Sequence, residues 1–163
     1  MHVVFHRLAR RLVRGLEQRA DVHVEATDLA AGLGATDALV ELPPNPRHQN
    51  LIDLRPWLGR GIDDWISAVT TVLKAQLHSG NYSVATIASF ASNGIKVFLP
   101  YLTGSHVDTM PSRPADMRHG DVARYIAWLR LKYPNGSTAK NYYSAFKSVL
   151  VGLMNYGFID QHH

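Results

Sequence analysis

One stretch of the chain decides its fold: residues 81–102 read NYSVATIASFASNGIKVFLPYL. Apolar residues recur there every three or four positions, which places them on one face of a long helix. They are Val84, Ile87, Ala88, Ala91, Ile95, Phe98, Leu99 and Leu102. We predict Ser83 as the N-cap, because its hydroxyl can accept a hydrogen bond from a free amide of the first turn.

The opposite face of this helix is small and nearly uncharged, although a solvated face is normally polar and charged. It carries Ala85, Ser89, Ser92, Asn93 and Lys96. Because these side chains are mostly short, another backbone can approach closely, either that of a second helix or that of a nucleic acid.

Three further helices are predicted around this one from the same spacing of apolar residues. They cover residues 62–79, 118–133 and 138–156. The first is expected to end at Gly80, because glycine readily adopts the left-handed conformation that closes helices. We expect Ser137 to cap the last helix. Together these helices predict an all-α fold.

We assign residues 1–60 to an N-terminal extension and residues 61–163 to the helical domain. Residues 2–19 are predicted to form an amphipathic helix with a basic side, which carries Arg7, Arg10, Arg11 and Arg14. A basic side of this kind fits a solvated packing helix, a helix that contacts phosphates, or a helix on a membrane surface. The residues alone leave these three interpretations open.

Residues 20–60 carry weaker signals. The alternating apolar residues at 22–26 fit a brief strand. Four prolines within residues 43–60 exclude a continuous helix there. We therefore predict a Pro-rich linker and a domain boundary in residues 43–60.

Length and charge narrow the classes of function. A chain of 163 residues has room for one domain, or for one domain with an appendage. Its net charge of +4 and its pI of about 9.5 fit a nucleic-acid partner without establishing one. The absence of cysteine excludes disulfides and thiolate metal sites. No apolar run reaches membrane-spanning length, so we expect a cytoplasmic protein with no membrane partner.

Candidate catalytic and metal-binding residues are few. The nine histidines are scattered singly, so we expect no metal site. Neither a Gly-x-Ser-x-Gly elbow nor a glycine-rich phosphate loop occurs. The adjacent Tyr142 and Tyr143 invite interpretation as nucleophiles, but helical spacing places at least one of the two rings in the core. We predict no catalytic residue in this chain.

The outer face of the last helix is more informative. It combines two cations, two short hydroxyls and an amide, namely Thr138, Lys140, Asn141, Ser144 and Lys147. Groups of these types bind the phosphates and base edges of nucleic acids. An ordinary solvated face explains the same residue types equally well.

The order of these parts resembles a known family. A helix capped by Ser83 ends in FLPYL, a loop follows, RHGDVARYIAWL begins at Arg118, and a Gly-Ser-Thr turn leads into TAKNYYSAFKSVLVGLMNYGFI. This series is similar to the core-binding domain of tyrosine recombinases (phage integrases), a SAM-like helical domain that precedes their catalytic domain. The resemblance covers residues 62–159. Its matching positions are Ser83, Thr86, Asp121, Tyr125, Ile126, Leu129, Ser137, Thr138, Tyr156, Gly157, Phe158 and Ile159.

The resemblance implies both a fold and a function. In that family the domain is a bundle of four to five helices that forms half of a C-shaped clamp around duplex DNA. It implies double-stranded DNA as the partner, with other recombinase protomers on the same DNA, and no cofactor. Carried over by position, the DNA-binding residues are Ser83, Thr86, Ser89, Asn93, Lys96, Arg118, His119, Thr138, Lys140, Asn141, Ser144 and Lys147.

The chain departs from the family in its chemistry. The catalytic domain of these recombinases carries two Arg, a His-x-x-Arg pair and a nucleophilic Tyr, and none of these can be placed here. We therefore expect a DNA-binding fragment, or a truncated protein, that grips a recombination site for a catalytic domain it lacks. A helical protein-interaction module without a nucleic-acid partner is the alternative.

Overall fold

The computed structural model describes residues 38–47, 49–104 and 110–160, and all of them belong to one compact unit. The predicted basic helix at residues 2–19 and the brief strand expected at residues 22–26 lie outside the described residues. The middle of the loop between the predicted helices at residues 81–102 and 118–133 also lies outside the described residues.

The described residues are mostly helical, as predicted, with one small sheet that the sequence reasoning missed. In chain order the main elements are β1 (Leu39–Glu41), β2 (Leu51–Asp53), α1 (Asp63–Ser79), α2 (Val84–Ser89), a π-helical turn (Phe90–Ile95), α3 (Lys96–Thr103), α4 (His119–Lys132) and α5 (Gly136–Asn155). Short 3₁₀ turns at Arg55–Trp57 and Pro114–Asp116 precede α1 and α4. Because α2, the π turn and α3 are continuous, we call residues 84–103 the central helix.

The described residues between 38 and 60 form a β-hairpin and a 3₁₀ turn, and the Pro-rich linker predicted at residues 43–60 covers the hairpin loop, β2 and that turn. The strands pair antiparallel with Val40 opposite Ile52, and both side chains are buried in the same core as the helices. Three of the four prolines, Pro43, Pro44 and Pro46, fall in the loop between the strands, where no ladder amide is needed, and Pro56 lies in the 3₁₀ turn. The all-α expectation is therefore corrected to a mostly helical fold with a two-stranded sheet.

The ends of the helices follow from local sequence. Gly80 ends α1 with a φ of 68°, the left-handed conformation that glycine adopts without strain. Ser83 caps the central helix as predicted, since its Oγ accepts a hydrogen bond from the Thr86 amide at 3.1 Å. The predicted cap of α5 is wrong by two residues. Asn135 Oδ1 accepts from the Ser137 amide at 3.0 Å, and Asn is at least as good a cap as Ser.

The core is built around the apolar face predicted for the central helix. Phe98 is fully buried, and its ring centroid lies 5.2 Å from that of Trp65 and 5.0 Å from that of Tyr125. The ring of Phe146 lies closer still, at 4.3 Å. Aromatic pairs at such distances contribute about 0.5–1.5 kcal/mol each beyond their buried area. One aromatic cluster thus joins α1, the central helix, α4 and α5.

The central helix and α5 meet backbone to backbone. A Cβ built on Gly94, in the π turn, would lie 3.1 Å from the carbonyl carbon of Ala145 and 3.1 Å from the amide nitrogen of Phe146. Neither backbone atom can move aside as the end of a flexible side chain can. Glycine at this position therefore allows the close contact that fixes the two helices against each other.

Candidate nucleic-acid interface

Four small polar side chains follow one another along the central helix, and we call Ser83, Thr86, Ser89 and Asn93 the polar row. Ser83 Oγ lies 2.8 Å from Thr86 Oγ1, and Asn93 Nδ2 donates to Ser89 Oγ at 3.1 Å. Ser83 is exposed, and the other three are half-buried. These hydrogen bonds hold short side chains in place, so a partner that binds the polar row approaches the helix backbone closely.

The outer face of α5 carries two lysines of the predicted site. Lys140, Asn141, Ser144 and Lys147 are exposed, and Thr138 is half-buried. The two lysines are separated by about two helical turns, roughly 10 Å along the axis. Within the described residues no carboxylate forms an ion pair with either lysine. Their charges therefore remain available to an anionic partner.

The contact at Gly94 joins the central helix to α5, and we call this contact the seam. Gly94 touches the backbone of α5 at Ala145 and Phe146, both of which are buried. Lys140 and Lys147 lie on the exposed face of α5, turned away from this contact. Neither of these two helices contains a single Asp or Glu. The polar row and the two lysines therefore lie on two acid-free helices that pack together.

Lys96 lies on another side of the central helix. It lines a groove of about 260 Å³ between that helix and the hairpin, whose lining also includes Arg47 and Leu51. Hydrogen bonds from Arg55 lower the pKa of Asp53 in β2, and the charge of Lys96 lowers it further. Lys96 therefore extends the predicted surface toward the hairpin rather than toward α5.

Arg118 and His119 lie apart from the start of α5. His119 begins α4, which runs for 14 residues, roughly 20 Å, before the turn into α5. The amide of Arg118 donates to the Asp121 carboxylate at 2.7 Å, and Asp121 also forms an ion pair with Arg124. The side chains of Arg118 and His119 are exposed. The length of α4 separates both of them from Lys140.

Sequence reasoning missed the hairpin groove and with it Arg47. The residue falls in the segment that the prolines mark as a linker. A usable signal was present, because short apolar pairs at residues 39–40 and 51–52 flank a loop rich in Pro and Asn. Such a pattern is typical of two strands joined by a longer loop.

The tyrosines show no arrangement that activates a nucleophile. Tyr142 and Tyr143 are half-buried, and the Tyr142 ring packs edge-on against Tyr133 at 4.9 Å. Burial raises the pKa of the Tyr125 phenol well above its usual range, so this hydroxyl stays protonated. Among residues 38–47, 49–104 and 110–160, no three His, Asp or Glu side chains are grouped to hold a metal ion.

The described surface carries exposed cations on α5 and at the hairpin groove, and the short hydrogen-bonded groups of the polar row on the central helix. None of the helices in the described part is long and apolar enough to cross a membrane. No protein-family model matches the chain, and no curated protein or solved structure is significantly similar to it.

Proposed function

We propose that this unit binds double-stranded DNA as the core-binding domain of a site-specific tyrosine recombinase or integrase. It grips the recombination site and holds it for a catalytic domain. The observation that carries the proposal is the absence of acidic residues from the two helices that meet at the seam, the central helix and α5. On α5, Lys140 and Lys147 have no ion-pair partner among the described residues, and the central helix carries the polar row.

The charges and their spacing support a duplex as the partner. Cations about 10 Å apart on one helix can both reach phosphates that border a single groove of DNA. Neutralising phosphates releases counterions, and this supplies much of the affinity of such proteins. Exposed Asn141 lies beside Lys140, and an Asn amide can pair with adenine through two hydrogen bonds.

The architecture supports the assignment of this unit to a recombinase core-binding domain. Four helical segments surround one aromatic cluster, which agrees with the four to five helices of the SAM-like bundle that the resemblance implies. The hairpin at residues 39–53 is an addition to that bundle. The central helix and α5, which face the duplex in the resembling family, are the two that form the seam.

Duplex binding across a salt series tests the proposal. We expect fluorescence anisotropy of a labelled duplex to show affinity that falls steeply as salt rises. For about four neutralised phosphates the log–log slope is roughly −3 to −4. Failure to bind any duplex at low salt would overturn the proposal. On a suicide substrate we expect no covalent protein–DNA adduct, because that step needs an activated nucleophile with cations around the scissile phosphate, and Tyr142 and Tyr143 are half-buried.

A helical protein-interaction module is the second candidate, and exposed apolar residues favour it. Leu131 in α4 is 82% exposed, and Val151 continues the outer face of α5 as an exposed aliphatic residue. Single exposed apolar residues are common on monomeric proteins, so their weight is small. A protein partner held by such residues would bind with little dependence on salt, which separates the two candidates.

A further inference from the structure

A groove lies between the hairpin and the central helix, and two of the residues that line it are cations. Its volume is about 260 Å³. Its lining is mostly aliphatic and includes two cations. The lining residues are Leu42, Arg47, Gln49, Leu51, Ile52, Ala88, Ala91, Ser92 and Lys96. Leu51 is 40% exposed although it is aliphatic, so part of the apolar wall faces the solvent.

The hairpin loop holds Arg47 in a defined position. Asn45 Oδ1 accepts a hydrogen bond from the Arg47 amide at 2.9 Å, and the Asn45 amide donates to Asn50 Oδ1 at 3.1 Å. An Asn side chain bonded to the amide two residues on is a typical turn device. These two hydrogen bonds join the Asn45 and Arg47 amides to side chains of the loop and place Arg47 beside the groove.

Neither cation of the groove is neutralised within the described part of the chain. No ion pair there involves Arg47 or Lys96. The nearby carboxylate, Asp53, is engaged by the Arg55 guanidinium at 2.9 and 3.0 Å. The groove therefore presents two positive charges beside an aliphatic wall.

We propose that this groove seats a segment of the DNA phosphodiester backbone, with Arg47 and Lys96 as its phosphate contacts. A phosphodiester chain alternates anionic phosphates with deoxyribose rings that present carbon faces. Cations bind the phosphates, and the exposed part of Leu51 packs against the sugar. The proposal rests on the DNA binding proposed above and extends its footprint onto the hairpin.

The hairpin groove and the seam lie on different sides of the central helix. Ala88, Ser92 and Lys96 line the groove, while Gly94 touches α5. The cations of the groove therefore add a second positive region to the one on the exposed face of α5.

Arg47→Ala tests the inference against a matched arginine. Anisotropy with a labelled duplex at about 0.1 M salt should show affinity lowered about threefold to tenfold at every sequence, and a salt slope smaller by about 0.9. The control is Arg60→Ala, because Arg60 lies 4.9 Å over the Trp57 ring and does not line the groove. The control should leave the affinity and the slope close to those of the parent.

A second pair of variants adds a repulsive charge without disturbing the core. Leu51→Glu places a carboxylate in the groove and should weaken binding more than Arg47→Ala does. Leu131→Glu makes the same change on α4, outside the groove, and should have much less effect.

If Arg47→Ala and Leu51→Glu both bind the duplex like the parent, the inference is overturned while DNA binding itself stands. If the parent binds poly-glutamate but no duplex, both proposals fail, and the groove serves an acidic protein segment instead.

Discussion

Three of the cations near α4 and the two lysines on α5 differ in how their side chains are held. Arg113 forms two hydrogen bonds with Asp116, at 2.8 and 3.1 Å, and Arg124 pairs with the buried Asp121. Lys132 at the end of α4 lies 4.8 Å over the Trp128 ring. By contrast, α5 contains no acid, and no described carboxylate pairs with its two lysines.

This difference gives a criterion for distinguishing a cationic helix face that is only solvated from one that binds an anionic partner. Exposed ion pairs contribute about 0–1 kcal/mol to stability, so their main effect is to orient a side chain and to cancel its field. A face that needs only solubility tolerates such pairs. A helix face that binds phosphates keeps a stronger positive electrostatic field when no acidic side chains lie near its cations. The central helix and α5 contain no acidic side chain.

The largest effect is expected from reversing the charges on α5. Lys140→Glu combined with Lys147→Glu removes two phosphate contacts and adds repulsion. Each charged hydrogen bond is worth about 1.5–3 kcal/mol, so duplex affinity should fall about a hundredfold or more. Fluorescence anisotropy at fixed salt measures the loss, and thermal unfolding shows that the exposed substitutions leave the fold intact.

A second double variant supplies the control for net charge. Arg60→Glu with Lys132→Glu makes the same change of charge at two cations that lie over tryptophan rings. We expect a much smaller loss of affinity from this pair. Equal losses in the two double variants would show that total charge, and not its position, determines binding.

The seam itself can be broken at Gly94. Gly94→Val places carbon atoms against the backbone of Ala145 and Phe146, and overpacking of this kind costs about 1–3 kcal/mol. Gly136→Val is the matched control, because a Cβ built on Gly136 meets nothing within 4 Å. Urea unfolding should show the Gly94 variant destabilised and the Gly136 variant close to the parent. Equal stability of the two variants would mean that the two helices can move apart at no cost.

Asn141 offers a smaller and more selective effect on the same surface. Its amide can distinguish adenine, so Asn141→Ala should cost about 1–3 kcal/mol at one base pair and little elsewhere. The side chain is exposed, and the melting temperature should therefore not change. Binding measured against a set of single-base variants of the preferred duplex locates that base pair. A uniform loss at all sequences would instead assign Asn141 to a phosphate.

The spacing of apolar residues predicted the helical part of the fold, because each helix buries one continuous stripe of apolar side chains. The Ser83 cap and the end at Gly80 are confirmed, since both depend on neighbours within three residues. The hairpin could not be found in the same way. Its three-residue strands are too short for a period to show, and their stability comes from packing of Val40 and Ile52 in a core formed by distant helices.

The candidate site was predictable only along single helices. Spacing placed Lys140 and Lys147 on one face, and their exposure is confirmed. The packing of the central helix against α5 depends on the contact at Gly94, which is a property of two helices and not of the apolar spacing in either one. The position of Lys96 in the groove depends likewise on the hairpin. Contacts between elements distant in sequence were therefore the part that the sequence left undetermined.

The smallest effect is expected from removing an acid beside the groove. Asp53→Asn takes away a carboxylate close to Lys96 and releases Arg55, so duplex affinity should rise about twofold. Asp116→Asn is the control, since Asp116 pairs with Arg113 in a similar way but lies in the 3₁₀ turn before α4, whereas Asp53 interacts with Lys96 of the groove. A rise of the same size in both variants would show a net-charge effect and remove support for a phosphate seat at the hairpin.

Stability measured on the same Asp53 variant checks its pairing independently. Arg55 lowers the pKa of Asp53 in the folded protein. The carboxylate therefore stabilises the fold at pH values above its unfolded pKa, near 3.9, and this contribution disappears as the pH falls through the lower folded value. Asp53→Asn should thus be slightly less stable than the parent at pH 7, and the difference should shrink as the pH falls below about 4. A difference that persists in acid would mean that the Asn side chain disturbs the hairpin itself, and any change in DNA affinity would then report on loop structure instead of on charge.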